Sequence, residues 1–261
     1  MIELADVSKR YDRDGTEWAV QHASLTVAAG ELVALLGESG SGKTTLLKMI
    51  NRLIDADEGT VRVAGKDVRT EDPVALRRTI GYVIQQAGLL PHLSVADNVA
   101  MVPRLLGWAR ADIDRRVDEL LDLVGLAPAV YRARFPDQLS GGQRQRIGVA
   151  RALAARSRVL LLDEPFGALD PVTRVALQAE LRRIHRELAL TTIIVTHDMV
   201  EALTLADRVV VMCAGEVRQI ATPRALLAAP ADDYVARLVD VVRAQSAELH
   251  ALAAREGADA P

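Results

Sequence analysis

Cysteine is almost missing from this chain of 261 residues. Cys213 stands alone, so no disulfide can close within the chain and a reducing compartment suits it. Its apolar neighbours Val209 to Met212 mark Cys213 as a small core residue rather than a nucleophile. Aromatic residues make up only 3%, too few for a base-stacking platform. Basic excess is absent as well: 32 Lys+Arg against 35 Asp+Glu leave a formal charge of -3, and no nucleic-acid partner is expected. No apolar run approaches the ~18 residues of a spanning helix. Glu3 and Asp6 interrupt the apolar stretch that a secretory signal needs, which predicts a cytosolic chain. What is abundant is apolar surface, half of all residues. That is enough to bury the core of one large domain or two small ones, and it excludes disordered and fibrous classes.

The first third alternates β-rich stretches, Ile2 to Val7, Trp18 to Val27 and Glu31 to Leu36, with turns at Asp14-Gly15 and Ala29-Gly30. Leu46, Leu47, Ile50 and Leu53 then fall at helical spacing within Lys43 to Leu53, before Val61 to Val63 and Ile80 to Ile84 return to strand composition. From Ser94 to about Arg156 the pattern is helical. Ser94 and Asp97 are spaced as a capping box, and Ile113, Val117, Leu120, Leu121 and Val124 line one face of a helix that Gly125 ends. Three continuous apolar runs follow, Val159 to Leu162, Thr192 to Thr196 and Arg208 to Cys213, as in a buried parallel sheet. A helix from Pro171 to Leu188, capped by Asp170, separates the first two. Ala214-Gly215 reads as a hairpin into Glu216 to Ile220, and helical segments extend to about Ala254, with fraying expected from Arg255 onward. The alternation predicts an α/β fold with a helical insert.

Gly37-Glu38-Ser39-Gly40-Ser41-Gly42-Lys43-Thr44 fits Gly-x4-Gly-Lys-[Ser/Thr] between a strand and a helix. Its glycines let successive N–H groups converge on phosphate oxygens, and the helix N-terminus adds a favourable dipole. Lys43 is expected to reach the β- and γ-phosphates and the Thr44 hydroxyl to ligate Mg²⁺. Asp163 and Glu164 end an apolar strand. Asp163 suits the magnesium shell, and Glu164 can orient or deprotonate a water that attacks the γ-phosphate. His197 ends another strand. Strand ends at Gly37, Asp163 and His197 converge if the sheet is parallel, which favours a γ-phosphate contact for His197.

Leu139-Ser140-Gly141-Gly142-Gln143 is a second hydroxyl-plus-glycine helix start suited to phosphate. Together with the phosphate loop, Asp163-Glu164, Ala168-Leu169-Asp170 and His197, it makes the chain resemble the ATP-binding cassette (ABC) subunit of a transporter, from about Ile2 to Ile220. The resemblance implies a P-loop NTPase core of ABC type with an antiparallel β subdomain and an α-helical subdomain. It places the ATPase domain at 1–222, with the helical part inserted at about 87–157 and a helical extension at 223–261. It further implies ATP and Mg²⁺ as cofactors, Tyr11 stacking on adenine, Thr45 among the nucleotide contacts, and Gln85 joining Thr44 and Asp163 around the metal. The catalytic set is then Lys43, Gln85, Glu164 and His197. Ser140 to Gln143 would close on ATP held by a second copy, in a head-to-tail homodimer with two ATPs at its interface.

The stretch Gly81 to Trp108 is similar, more narrowly, to the ATPases of quaternary-ammonium importers for glycine betaine, carnitine or choline. Partners implied are two integral-membrane permease subunits and, indirectly, an extracytoplasmic solute-binding protein, with the chain peripheral on the cytoplasmic face of the inner membrane. Leu89, Leu90 and Leu93 could form the docking groove for a permease helix or belong to the insert's own core. The tail after His250 is shorter than the tandem regulatory modules of many such relatives, which argues against ionic-strength sensing. Importers of another solute such as amino acids are the alternative. A non-transport cassette would predict a coiled-coil insertion or paired cassettes, and a kinase would leave the signature and His197 without a role.

Overall fold

Strands that are apolar from end to end need cover on both faces, and the computed structural model, which describes residues 2–11 and 17–256, provides it. The chain begins β1 (Ile2–Lys9), β2 (Val20–Val27), β3 (Leu32–Leu36), α1 (Lys43–Ile50), β4 (Glu58–Val63), β5 (Lys66–Asp67), α2 (Pro73–Thr79) and β6 (Ile80–Val83). The insert holds α3 (Val95–Leu105), α4 (Arg110–Leu123), α5 (Pro128–Tyr131) and α6 (Gly141–Leu153). Then come β7 (Val159–Asp163), α7 (Pro171–Glu187), β8 (Thr191–Thr196), α8 (Met199–Leu205), β9 (Arg208–Cys213), β10 (Glu216–Ala221), α9 (Pro223–Ala228) and α10 (Asp233–Glu256).

Six strands form one sheet in the order β10-β9-β3-β8-β7-β6, parallel apart from the β9–β10 hairpin. Every residue of β3, β7 and β8 is buried. Side chains of a strand alternate between faces, and here the alternation sorts them into two cores. Leu32, Ala34 and Leu36 join Leu160, Leu162 and Ile194 under α3, α4, α6 and α7, whereas Val33 and Leu35 join Leu161, Ile193 and Val195 on the opposite face. That second core is closed by α1, with Leu46, Leu47 and Ile50, and by the antiparallel sheet β2-β1-β4-β5. Each fully buried leucine contributes roughly 1.5–3 kcal/mol.

Helix starts follow the side-chain caps. Asp170 accepts from the Thr173 N–H at 3.0 Å and Ser94 from the Asp97 N–H at 3.1 Å. The return bond of the expected Ser94 box comes from the serine hydroxyl, which donates to the Asp97 carboxylate at 2.6 Å. The sequence reading passed over α2, although Asp72-Pro73 repeats the Asp170-Pro171 start and Asp72 caps it. Trp18 and Ala19, read as strand, precede β2. Fraying at Arg255 and Glu256 is corrected: α10 runs through both, in a stretch of strong helix formers, while residues 257–261 lie outside the described part. Val235 and Val239 of α10 are fully buried in the core that also holds Met199, Ala202 and Leu205 of α8. Cys213 is half-buried at the end of β9. Among the described residues no helix is long and apolar enough to cross a membrane.

Candidate nucleotide site at the ends of the parallel strands

Because β3, β8 and β7 are adjacent and parallel, their C-terminal ends open on one edge of the sheet, where ligands of open α/β folds bind. The loop from Gly37 to Gly42 leaves β3 there and enters α1. Gly42 has φ 97°, and a Cβ on it would sit 2.3 Å from the Ala19 carbonyl oxygen. At Gly37 the constraint is proximity alone, with the Met212 carbonyl oxygen 2.2 Å from a would-be Cβ. Glu38, Ser39 and Gly40 form an exposed lip, while Ser41 and Lys43 lie buried beneath it. The Lys43 ammonium donates to the carbonyl oxygens of Gly37 (2.8 Å) and Glu38 (2.6 Å) and to Ser41 Oγ (3.2 Å), so its charge stands inside the loop's own curve. Burial pulls Lys43 below the usual lysine range, against the stabilising charges of Glu164, Asp163 and Glu38.

At the foot of the loop the Thr44 hydroxyl donates to Asp163 Oδ1 at 2.9 Å. Burial raises Asp163 above the ordinary carboxylate range, and Glu164 adds to the rise; the Thr44 hydroxyl, Lys48 and Tyr82 oppose it. Two hard oxygens, one of them a desolvated carboxylate, suit Mg²⁺, which binds through one or two protein oxygens and takes the rest of its shell from phosphate and water. The residues present therefore fit the metal. Gln85, expected in the same shell, donates its Nε2 towards Glu164 Oε2 at 3.4 Å.

Glu164 takes a left-handed backbone, φ 45°, fixed by its N–H donating to the Val195 carbonyl at 3.1 Å. Glu164 Oε2 faces His197 Nδ1 at 3.4 Å as well as Gln85, so the three are gathered at one point. Tyr11 is exposed, and its hydroxyl meets Thr45 Oγ1 at 3.1 Å.

Ser140 caps α6 with a full capping box: its Oγ accepts from the Gln143 N–H, and Gln143 Oε1 accepts from the Ser140 N–H. Gln143 Nε2 donates to the Tyr131 hydroxyl at 3.0 Å. Gly142 faces Thr173, whose methyl lies 2.5 Å from where a Cβ would stand. A groove of about 760 Å³ joins Gly141 and Leu169 to Gln85, Glu164 and His197. Among the described residues, none from Gly37 to Thr44 lines it.

Three neighbours escaped the sequence reading. The Tyr82 hydroxyl donates to Asp163 Oδ2 at 3.5 Å, and burial drives its own ionisation upward. Tyr131 holds Gln143. Arg151 of α6 donates to the carbonyls of Ala87 (2.6 Å) and Gly88 (2.7 Å), spanning the left-handed run Gln86, Ala87 and Gly88 that follows Gln85. The only advance signal for Tyr82 was its place three residues before Gln85; the partners of Tyr131 and Arg151 depend on helix packing. Leu89 packs against the core, while Leu90 and Leu93 are half-buried around Asn98, whose amide binds the backbone of both.

Residues 20–167 match the family described as ABC transporter. The chain is 54% identical over 235 residues to a glycine betaine uptake system ATP-binding protein of Escherichia coli K12, covering 90% of this chain and 75% of that one. It is 49% identical over 239 residues to a choline transport ATP-binding protein of Bacillus subtilis, of which it spans only 62%. A solved ATP-binding cassette dimer in a post-hydrolysis state with ADP and Pi aligns at TM-score 0.77 and 33% identity, over 86% of this chain and 99% of that one. With more than half of the chain under the family's pattern and three quarters of a half-identical relative spanned, the chain belongs to the ABC transporter family of ATP-binding subunits.

Proposed function

We propose that this chain hydrolyses ATP to drive an importer of quaternary-ammonium osmoprotectants such as glycine betaine, carnitine or choline. The observation that carries the reading is the convergence of the phosphate loop, the Thr44–Asp163 pair and the Glu164–His197–Gln85 cluster on one sheet edge. The choice of solute rests on the relatives' names. Residues 1–222 are assigned to the ATPase domain, 87–157 to its helical insert and 223–261 to a C-terminal extension.

In this reading the N–H groups of Gly40 to Thr44 and the Lys43 ammonium bind the phosphates, and Tyr11 stacks on the adenine. Thr44 and Asp163, joined by Gln85, would hold Mg²⁺, which when bound would supply charge neutralisation for the phosphates. Glu164 orients the attacking water and accepts its proton, while His197 meets the γ-phosphate. The signature needs a second copy, because in its own chain it opens on a groove that the phosphate loop does not line. Two copies meet head to tail, each offering Ser140 to Gln143 to the other's ATP. Hydrolysis removes the bridging γ-phosphate and releases the pair. Two permease subunits, fed by a solute-binding protein, convert that motion into import, with this chain peripheral on the cytoplasmic face of the membrane.

Glu164→Gln tests the reading. ATP binding is expected to persist, hydrolysis to fall by about 10²–10⁴-fold, the nucleotide-bound dimer to persist on size exclusion, and uptake of labelled betaine to stop. Undiminished hydrolysis overturns the role of Glu164, and betaine uptake that is unaffected by loss of the protein overturns the solute.

A further inference from the structure

Behind the Glu164–His197 pair lies a small chamber whose far wall is a carboxyl group that the proposed mechanism does not use. Glu201, in the first turn of α8, is only 6% exposed, and its Oε1 is buried without a hydrogen-bond partner among the described residues. Buried polar atoms are normally satisfied, so an orphan of this kind points to a missing partner. The chamber holds about 20 Å³; its polar wall is Glu164, Arg174, Thr196, His197, Asp198 and Glu201, and Phe166 and Gly167 complete the lining. One water needs roughly 10–15 Å³ and two to four polar partners, and both conditions are met.

We propose that this chamber is an ordered-water site and that Glu201 is a positioning residue for hydrolysis, its free oxygen bonded through that water to the Glu164–His197 pair. The proposal deepens the reading of Glu164 given above and rests on it. Thr196 already ties the two sides together: its Oγ1 accepts from the Asp198 N–H at 2.9 Å, and its hydroxyl supports the Glu201 carboxyl. Asp198 accepts from the Glu201 N–H at 3.1 Å and pairs with Arg174 at 3.5 Å. Glu201 thus braces the segment that carries His197. The water extends the brace to Glu164, whose carboxylate faces His197 Nδ1 at 3.4 Å.

The groups that face Glu201 are Glu164 from the end of β7, Arg174 from α7, and Thr196, His197 and Asp198 between β8 and α8. The elements β3, α9 and α10 also pack against α8 but contribute no residue to the lining. Burial first, and then the charge of Asp198, push Glu201 up to about 7, with Glu164 adding to the rise and Thr196 and Arg174 opposing it. At neutral pH the group is therefore poised between an acid that donates to the water and a carboxylate that repels Glu164.

The test is ATP hydrolysis by the full chain from pH 6 to 8.5, comparing wild type with Glu201→Gln and Glu201→Leu. The wild-type kcat is expected to change across pH 7. Glu201→Gln, which keeps hydrogen bonding but cannot titrate, loses that inflection with KM for ATP held within about twofold. Glu201→Leu removes the water's partner and lowers kcat about tenfold at unchanged KM. An inflection near pH 7 that survives in Glu201→Gln, or a wild-type kcat in Glu201→Leu, overturns the proposal. If Glu201→Leu fails to fold, infrared difference spectra of wild type and Glu201→Gln between pH 6 and 8 decide. A protonated-carboxyl band that disappears only in wild type supports the proposal, and its absence sinks it. Full activity in Glu164→Gln would instead refute the role of Glu164 while leaving that band in place.

Discussion

The two phosphate-suited ends of this molecule are built differently. The phosphate loop is threaded into the protein: Lys43 is buried, Thr44 reaches Asp163 across 119 residues of sequence, and Gly37 and Gly42 press against the carbonyls of Met212 and Ala19. The signature is local and outward. Ser140 and Gly141 are exposed, the capping bonds of Ser140 close on Gln143, and the longest polar link of the segment is the one from Gln143 to Tyr131, 12 residues away. The phosphate loop thus draws its polar partners from distant strands of its own chain. An exposed helix start whose side-chain bonds are satisfied locally still offers backbone donors and a dipole to an outside anion.

Mixing variants breaks or upholds that contrast with the largest effect. Lys43→Ala and Ser140→Ala are each expected to lower hydrolysis by about 10²-fold or more. In a head-to-tail dimer, a mixture of the two contains one intact site per mixed pair, so its ATPase rate should rise well above either variant alone. No recovery on mixing places the signature and the phosphate loop in service of the same chain's nucleotide.

A smaller effect separates the buried side from the exposed one by pH. Glu201 has an ordinary value of 4.5 raised to about 7 in the fold, mainly by burial. The folded protein keeps a proton that the unfolded chain gives up, so stability is unpenalised below about pH 4.5 and is lost as pH rises towards 7. The loss amounts to about 3 kcal/mol from a shift of this size. Glu201→Gln should flatten this slope in urea unfolding followed at pH 5 and pH 8. An identical pH slope in both proteins would mean that Glu201 ionises normally.

The smallest effect concerns the signature as a structural cap. Ser140→Ala should cost about 1 kcal/mol of unfolding free energy, the usual value of an N-cap, which is a drop of roughly 2–4 °C in Tm for a chain of this size. A loss of several kcal/mol would show the signature to be anchored in the core after all.

Much of this was legible in the linear chain. The runs at Val159 to Leu162, Thr192 to Thr196 and Arg208 to Cys213 announce buried strands because a strand covered on both faces reads as a near-continuous apolar run. Asp170-Pro171 marks a helix start because proline suits the first turn and aspartate accepts the free N–H. The phosphate loop and signature were readable because their chemistry depends on contiguous backbone. Gln85 was less legible: its partner is Glu164, 79 residues on, and contacts at that range are set by packing. Tyr82 was missed for the same reason, since its hydroxyl reaches Asp163 only because β6 lies beside β7.

Sequence alone determined the class of chemistry, because a glycine loop with its lysine, a strand-ending acid pair and a hydroxyl-capped helix are properties of neighbouring residues. Tertiary structure decided which of these groups meet. The parallel order β3-β8-β7 gathers Thr44 with Asp163 and Glu164 with His197, and it leaves Glu201 facing them across a space the size of one water. Burial and enclosure arise only when distant segments pack, so no local pattern could have disclosed that acid or its raised pKa.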